Sequence, residues 1–341
     1  MTNLSDLSIT VKKLAWVIGL IILVAILVLL IVLRSSNQKK SPQLDLIDKP
    51  KLNNLSFKTD QIDTSNVKLP QSPTTLAIYQ GYDHANLLSL SASLAQKLSF
   101  LNKPSNLHDV NLGDGLAYTS DTQALAIYKN DFSYQKYPAK QPSAPKSLTT
   151  DQLKNTLNTF FSNLGLPQNF SDAPQTTYYQ SVGEFLTVTT DSKNATITNL
   201  KFHHEIAGAE VIMPNSEISA SFNKQGELAE LSYFDFQPGS KIVDYPIISA
   251  KEAVKTLTTS GAALIKVQSS NTYDILPNEF KLASAQKAYL AYYVTPDQSQ
   301  IIQPIWAFET QVNLGKSQAL AIYAVPAIDP KFFTQSPAPK P

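Results

Sequence analysis

The chain has 341 residues, 43% of them hydrophobic, which suffices for one or two domains with real cores. Its formal net charge of +1 supplies no field that would draw nucleic acid or a strongly acidic partner. It has no cysteine, which excludes disulfides, thiolate catalysis and cysteine-based metal sites and leans an envelope location towards bacteria.

Residues 14–33 read LAWVIGLIILVAILVLLIVL, without a charge. As a helix at roughly 1.5 Å per residue the run is about 30 Å long, the thickness of a hydrocarbon core. A cleaved signal peptide has an apolar region of about 7–15 residues that ends at small residues. This run is longer and ends Ile31-Val32-Leu33-Arg34, so an uncleaved transmembrane anchor is expected. Basic residues nearly balance across it, so orientation is read from the short leading tail. Residues 1–13 are expected in the cytoplasm and the bulk of the chain outside, at the cell membrane. Ala15 and Gly19 form a candidate helix-packing pair, although one such spacing arises by chance in any apolar helix.

Residues 34–74 are polar and aperiodic and read as a linker. In residues 75–137, Leu87, Leu90, Leu94, Leu98 and Leu101 share one face of a predicted helix, and strands are predicted before and after it. A proline-rich linker spans 138–146. Residues 147–328 form a second region that opens with a helix over Asp151–Leu164, with Thr150 as N-cap and Gly165 at its end. Strands follow, with a hairpin loop at Asn223–Gly226 and a capping box at Ser249–Glu252 that starts another helix. Strands over Lys287–Thr295, Ile301–Val312 and Gln318–Val325 complete it, and 329–341 is read as a disordered tail. Helices and antiparallel strands in separate runs give an α+β expectation: a transmembrane helix, then antiparallel sheets with packed helices. The hexapeptide QALAIY occurs at 123–128 and at 318–323, through duplication of a helix-plus-sheet unit or through chance.

Chemistry is sparse. His203-His204-Glu205 lies on a predicted strand, where adjacent histidines point to opposite faces and do not share one metal ion. Asp235, in Tyr233-Phe-Asp-Phe236, is expected at the solvent-facing or edge side of its strand. No nucleophile elbow or phosphate loop is present, and no catalytic residue, cofactor or metal is expected. Tyr289, Tyr292, Tyr293, Trp306 and Phe308 are the candidate binding surface for peptide or glycan, with burial in the core as the plainer reading.

From Phe202 to Glu309 the order of motifs is Ile206-Ala-Gly-Ala-Glu-Val211, Ile218-Ser-Ala-Ser-Phe222, Gly226-Glu-Leu228, the capped helix from Ser249, Ala288-Tyr-Leu-Ala-Tyr-Tyr293 and Gln303-Pro-Ile-Trp-Ala-Phe308. This order resembles the extracytoplasmic PepSY-related domains, particularly the YycH/YycI-type regulators of two-component systems. The resemblance implies a non-catalytic module that regulates a membrane or envelope partner such as a sensor kinase or protease. The alternative is an envelope enzyme or a glycan- or peptide-binding protein. Partners expected are the membrane, through residues 14–33, and an envelope protein, without nucleic acid.

Overall fold

The computed structural model describes residues 44–52, 58–59, 62–83, 86–110, 112–137, 148–168, 170–182, 185–213, 217–259, 262–269, 279–280, 283–294, 301–314 and 317–334. The chain divides into two units, residues 1–47 and 48–341, and of the first only residues 44–47 are described.

The α+β expectation is corrected. Strands take 51% of the described residues and helix 16%, so the fold is mostly β. Among the described residues the three α-helices are short, and strands of ten to twelve residues lie between 283 and 326. In Ala319–Val325 the β-branched Ile322 and Val325 and the aromatic Tyr323 favour the strand, while the alanines between them allow close packing on both faces. Among the described residues no helix is long and apolar enough to cross a membrane. The expectation of a transmembrane, single-pass signal anchor is corrected accordingly: no described helix is such a span, and residues 14–33, with Ala15 and Gly19, lie outside the described residues.

The second unit starts with short strands β1 (Lys58–Thr59), β2 (Ile62–Asp63), β3 (Thr75–Tyr79) and β4 (Tyr82–Asp83). Helix α1 (Leu87–Lys97) follows, then a meander of β5 (Ser105–Asp109), β6 (Gly113–Thr119), β7 (Gln123–Ile127) and β8 (Asp131–Lys136). Helix α2 (Thr150–Leu164) opens the next portion. Its N-cap is Thr149, one residue earlier than expected, because the Thr149 hydroxyl accepts from the Gln152 backbone while Gln152 reaches back. Gly165, at φ 70°, ends it in the left-handed conformation. Then come β9 (Gln175–Val182), β10 (Phe185–Thr189), β11 (Ile197–Phe202), β12 (Glu205–Ile206), β13 (Ala209–Ile212), β14 (Ile218–Asn223) and β15 (Leu228–Phe234). The last portion holds β16 (Gln237–Pro238), β17 (Lys241–Pro246), α3 (Ala250–Thr258), β18 (Ala263–Ser269), β19 (Glu279–Phe280), β20 (Ala283–Tyr293), β21 (Gln303–Leu314) and β22 (Ser317–Pro326).

One nine-stranded sheet has the order β10-β9-β11-β14-β15-β8-β7-β6-β5. Its first half, after α1, is the meander β5 to β8; in its second half, after α2, β9 lies between β10 and β11, and the final strands of the two halves, β8 and β15, pair antiparallel at the centre. Leu87 and Leu94 of α1 and Leu153, Leu157 and Phe161 of α2 pack on one face of this sheet, against Leu125, Ile127, Phe132, Leu200, Phe222 and Leu231. Both helices therefore cover the same side.

The second sheet runs β12-β13-β20-β21-β22-β18, with β2 also on β20. Helix α3 packs Ala253 and Leu257 on one face with Trp306, Phe308 and Tyr323, while Tyr293, Ile305, Ala307 and Ile322 pack on the other. Burial on both faces explains why β21 reads as a continuous apolar run at 304–308 instead of alternating. β12 and β13 are a hairpin inserted between β11 and β14, and β13 pairs parallel with β20, so one segment joins the two sheets.

The repeated hexapeptide does not mark equivalent strands. In β7 it is Leu125 and Ile127 that face the helices, whereas in β22 Ala319, Ala321 and Tyr323 face α3. The two copies present opposite faces to their helices, a one-residue offset that reverses every side chain.

Candidate functional site

Side chains alternate along a strand, so the burial of Leu200, Ile218, Ala220 and Leu231 under the helices sends their neighbours to the opposite, uncovered face of the nine-stranded sheet. Two cross-strand ranks result. One runs Ala117, Ala126, Ser133, Ser232, Ser219 and Lys201, each opposite the next. The other runs Thr119, Ala124, Gln135, Glu230, Ser221 and Asn199. Small side chains across five adjacent strands leave a trough of about 420 Å³.

The trough presents more apolar than polar surface, with hydroxyl and amide groups set along it and little charge. Asn199 is 8% exposed, and its Nδ2 donates to the Ser219 Oγ at 2.9 Å and the Ser221 Oγ at 3.0 Å. Both hydroxyls accept from Asn199 and keep their own O–H groups for an acceptor. The Asn199 Oδ1 is buried and has no hydrogen-bond partner among the described residues. Gln135 and Glu230 border the floor at the β8–β15 junction.

At one end Glu217 is clamped between Lys201 of β11, at 3.1 Å, and Lys266 of β18 in the second sheet. Burial pushes the Glu217 carboxyl up, but the Lys266 charge and hydrogen bond, and then those of Lys201, more than offset it and hold the group below its ordinary range. Two ammonium groups share one carboxylate. Next to it, His203, Glu210, Glu217 and Lys266 line a void of only about 10 Å³, which has room for no more than a single water.

No family model matches the chain, and no curated protein matches it in sequence. Several solved structures are similar in shape, two of them as follows. An uncharacterized protein from Eubacterium rectale is 11% identical, with a TM-score of 0.47 over 77% of this chain and 86% of that one. The Bacillus megaterium YpeB C-terminal domain is 10% identical, with a TM-score of 0.27 over 72% of this chain and 92% of that one. At TM-scores below 0.5 neither likeness bears on the argument.

The aromatic set expected as a binding surface is dispersed. Trp306 and Phe308 lie under α3, Tyr292 packs with Phe234 and Phe236, and Tyr293 lies on the other face of the sheet with the half-buried Tyr289 beside it. Trp306 donates to the Ile248 carbonyl and Tyr292 to the Ala77 carbonyl. His204 is buried with its ring 5.1 Å from that of Phe236, while His203 lies 3.9 Å from Glu210, and among the described residues no group of three acidic or histidine side chains converges on a metal position. Asp235 differs from its expectation. It is 1% exposed and accepts from the Tyr233 hydroxyl at 3.0 Å; burial first, and then the Asp235 charge, push that phenol far above its ordinary range.

The trough was the missed site. Its signal in the sequence was the alternation Ile218-Ser-Ala-Ser-Phe222, which marks a sheet with one polar face but not the strands that lie beside it.

Proposed function

We propose that this chain is a non-catalytic interaction module that acts outside the cytoplasm at the cell membrane and regulates an envelope partner by holding an extended polypeptide segment in the trough. The observation that carries the reading is the uncovered face of the nine-stranded sheet, where small hydroxyl and alanine side chains cross five strands, Glu230 is the single carboxylate in the lining, and Glu217 at one end is paired with Lys201 and Lys266. An extended segment fits a shallow floor with many weak donors and acceptors better than a small metabolite does, since a metabolite needs enclosure. The regulatory part rests on the resemblance of residues 202–309 to PepSY-related and YycH/YycI-type domains. The membrane placement rests on the sequence of residues 14–33 alone.

The test is a photo-cross-linker placed at Ser232 in the full chain in cells. It is expected to capture one envelope protein through a defined peptide, and Ser133→Trp, which fills the floor, is expected to abolish capture without changing the unfolding midpoint. Equal capture by the Ser133→Trp chain would remove the trough from the proposal.

A further inference from the structure

The nine-stranded sheet has two edges, and they are built differently. At β5 the edge carries His108, whose Nδ1 lies 2.8 Å from the Asp114 Oδ1, together with Asp109. Charges on an edge discourage another strand from adding to it. At the far edge β10 reads Phe-Leu-Thr-Val-Thr, without a charge or a proline. Leu186 and Val188 are each 53% exposed and share one face, with Thr187 between them on the other.

The backbone of β10 is equally open. Phe185 is opposite Val182, Thr187 opposite Gln180 and Thr189 opposite Tyr178. Only two residues separate Val182 from Phe185, which makes that pair the hydrogen-bonded one, and bonded pairs then recur at every second residue. Thr187 therefore bonds inward, while Leu186 and Val188 direct their N–H and C=O groups away from the sheet.

We infer that β10 pairs antiparallel with β10 of a second copy of this chain, two-fold about Thr187. The sequence is self-complementary in that register: apolar, threonine, apolar reads the same in both directions. Leu186 then faces Val188 of the other copy, twice over, so four apolar side chains close on one face. The outward groups of Leu186 and Val188 make four backbone hydrogen bonds, and Thr187 meets its own counterpart in a non-bonded pair. This pairing uses the edge and not the trough, so it stands independently of the functional proposal.

The chain has no cysteine, so a single introduced thiol reports cleanly. Non-bonded antiparallel pairs have Cα atoms about 4.5 Å apart, within the roughly 4.4–6.8 Å that a disulfide accepts. Full-length Thr187→Cys is expected to oxidise mainly to a disulfide-linked dimer, while Ser105→Cys on the other edge stays monomeric. Val188→Lys, which sets two ammonium groups at the junction, is expected to reduce the dimer fraction of the otherwise unaltered chain about tenfold. Cross-linking of Thr187→Cys no greater than that of Ser105→Cys would overturn the inference. So would an adduct with a different polypeptide in place of the two-chain species, which would assign the edge to another donor strand.

Discussion

The indole Nε1 of Trp306 donates to the carbonyl oxygen of Ile248 at 3.1 Å, which ties the fully buried centre of β21 to the residue just before the N-cap of α3. Trp306→Phe keeps most of the ring contact but removes the donor and part of the volume. Losing a buried hydrogen bond costs about 1–3 kcal/mol, with a further term for the gap. The expected outcome is a urea midpoint lowered accordingly with the strand content unchanged by circular dichroism. An unaltered midpoint would show that the bond is not a fixed part of the sheet.

Glu217 joins the two sheets through Lys201 and Lys266. Its carboxyl is held below the ordinary value of 4.5, so it contributes stability above that pH and loses it as pH falls through the lower folded value. Glu217→Gln is expected to cost about 1 kcal/mol at pH 7, the modest scale of partly solvated pairs. The mutant should also show a shallower loss of stability below pH 4.5 than the parent. Parallel curves for the two chains would place the acid sensitivity elsewhere.

Asp131, at the start of β8, has the opposite sign. Burial raises its carboxyl from 3.8 to about 6, so the folded state disfavours the charge. The folded protein binds this proton more tightly than the unfolded chain does, so the stability that Asp131 gains by protonation is present at pH 4 and is lost as pH rises to about 6. Asp131→Asn is expected to be more stable than the parent at pH 7 and to lack this slope. Unfolding curves collected between pH 4 and 7 check both signs.

Local signals were legible in the sequence and long-range ones were not. The Ser249–Glu252 capping box forms as read, and Gly165 ends α2, because caps are decided within one turn. The share of strand exceeds the expectation because β5, β17 and β18, none of them expected from their own sequence, are strands through pairing with the distant or adjoining β6, β3 and β22. Asp235 was misplaced because its burial depends on the Tyr233 hydroxyl and on the pairing of β15 with β8, neither of which is visible from one strand. The trough escaped for the same reason. Ser219 and Ser133 lie far apart in the chain and come into one rank only through Ser232, which pairs with both.

The hairpin that carries β12 and β13 turns on Ala207 at φ 51° and Gly208 at φ 78°. Two consecutive positive φ values define a tight loop that matches the twist of the flanking strands, and asparagine followed by glycine suits it best. Alanine in the left-handed region carries a cost of about 1 kcal/mol that asparagine or glycine relieves. Ala207→Asn is therefore expected to raise stability by about 0.5–1 kcal/mol, and Ala207→Val to lower it by more than that gain, since β-branching aggravates the clash. Because β13 pairs with β20, the effect should extend beyond the loop. Hydrogen exchange at Ala291 and Tyr292 is expected to slow in Ala207→Asn and to quicken in Ala207→Val. Exchange that changes only at residues 205–210 would mean that the hairpin folds and frays without the second sheet.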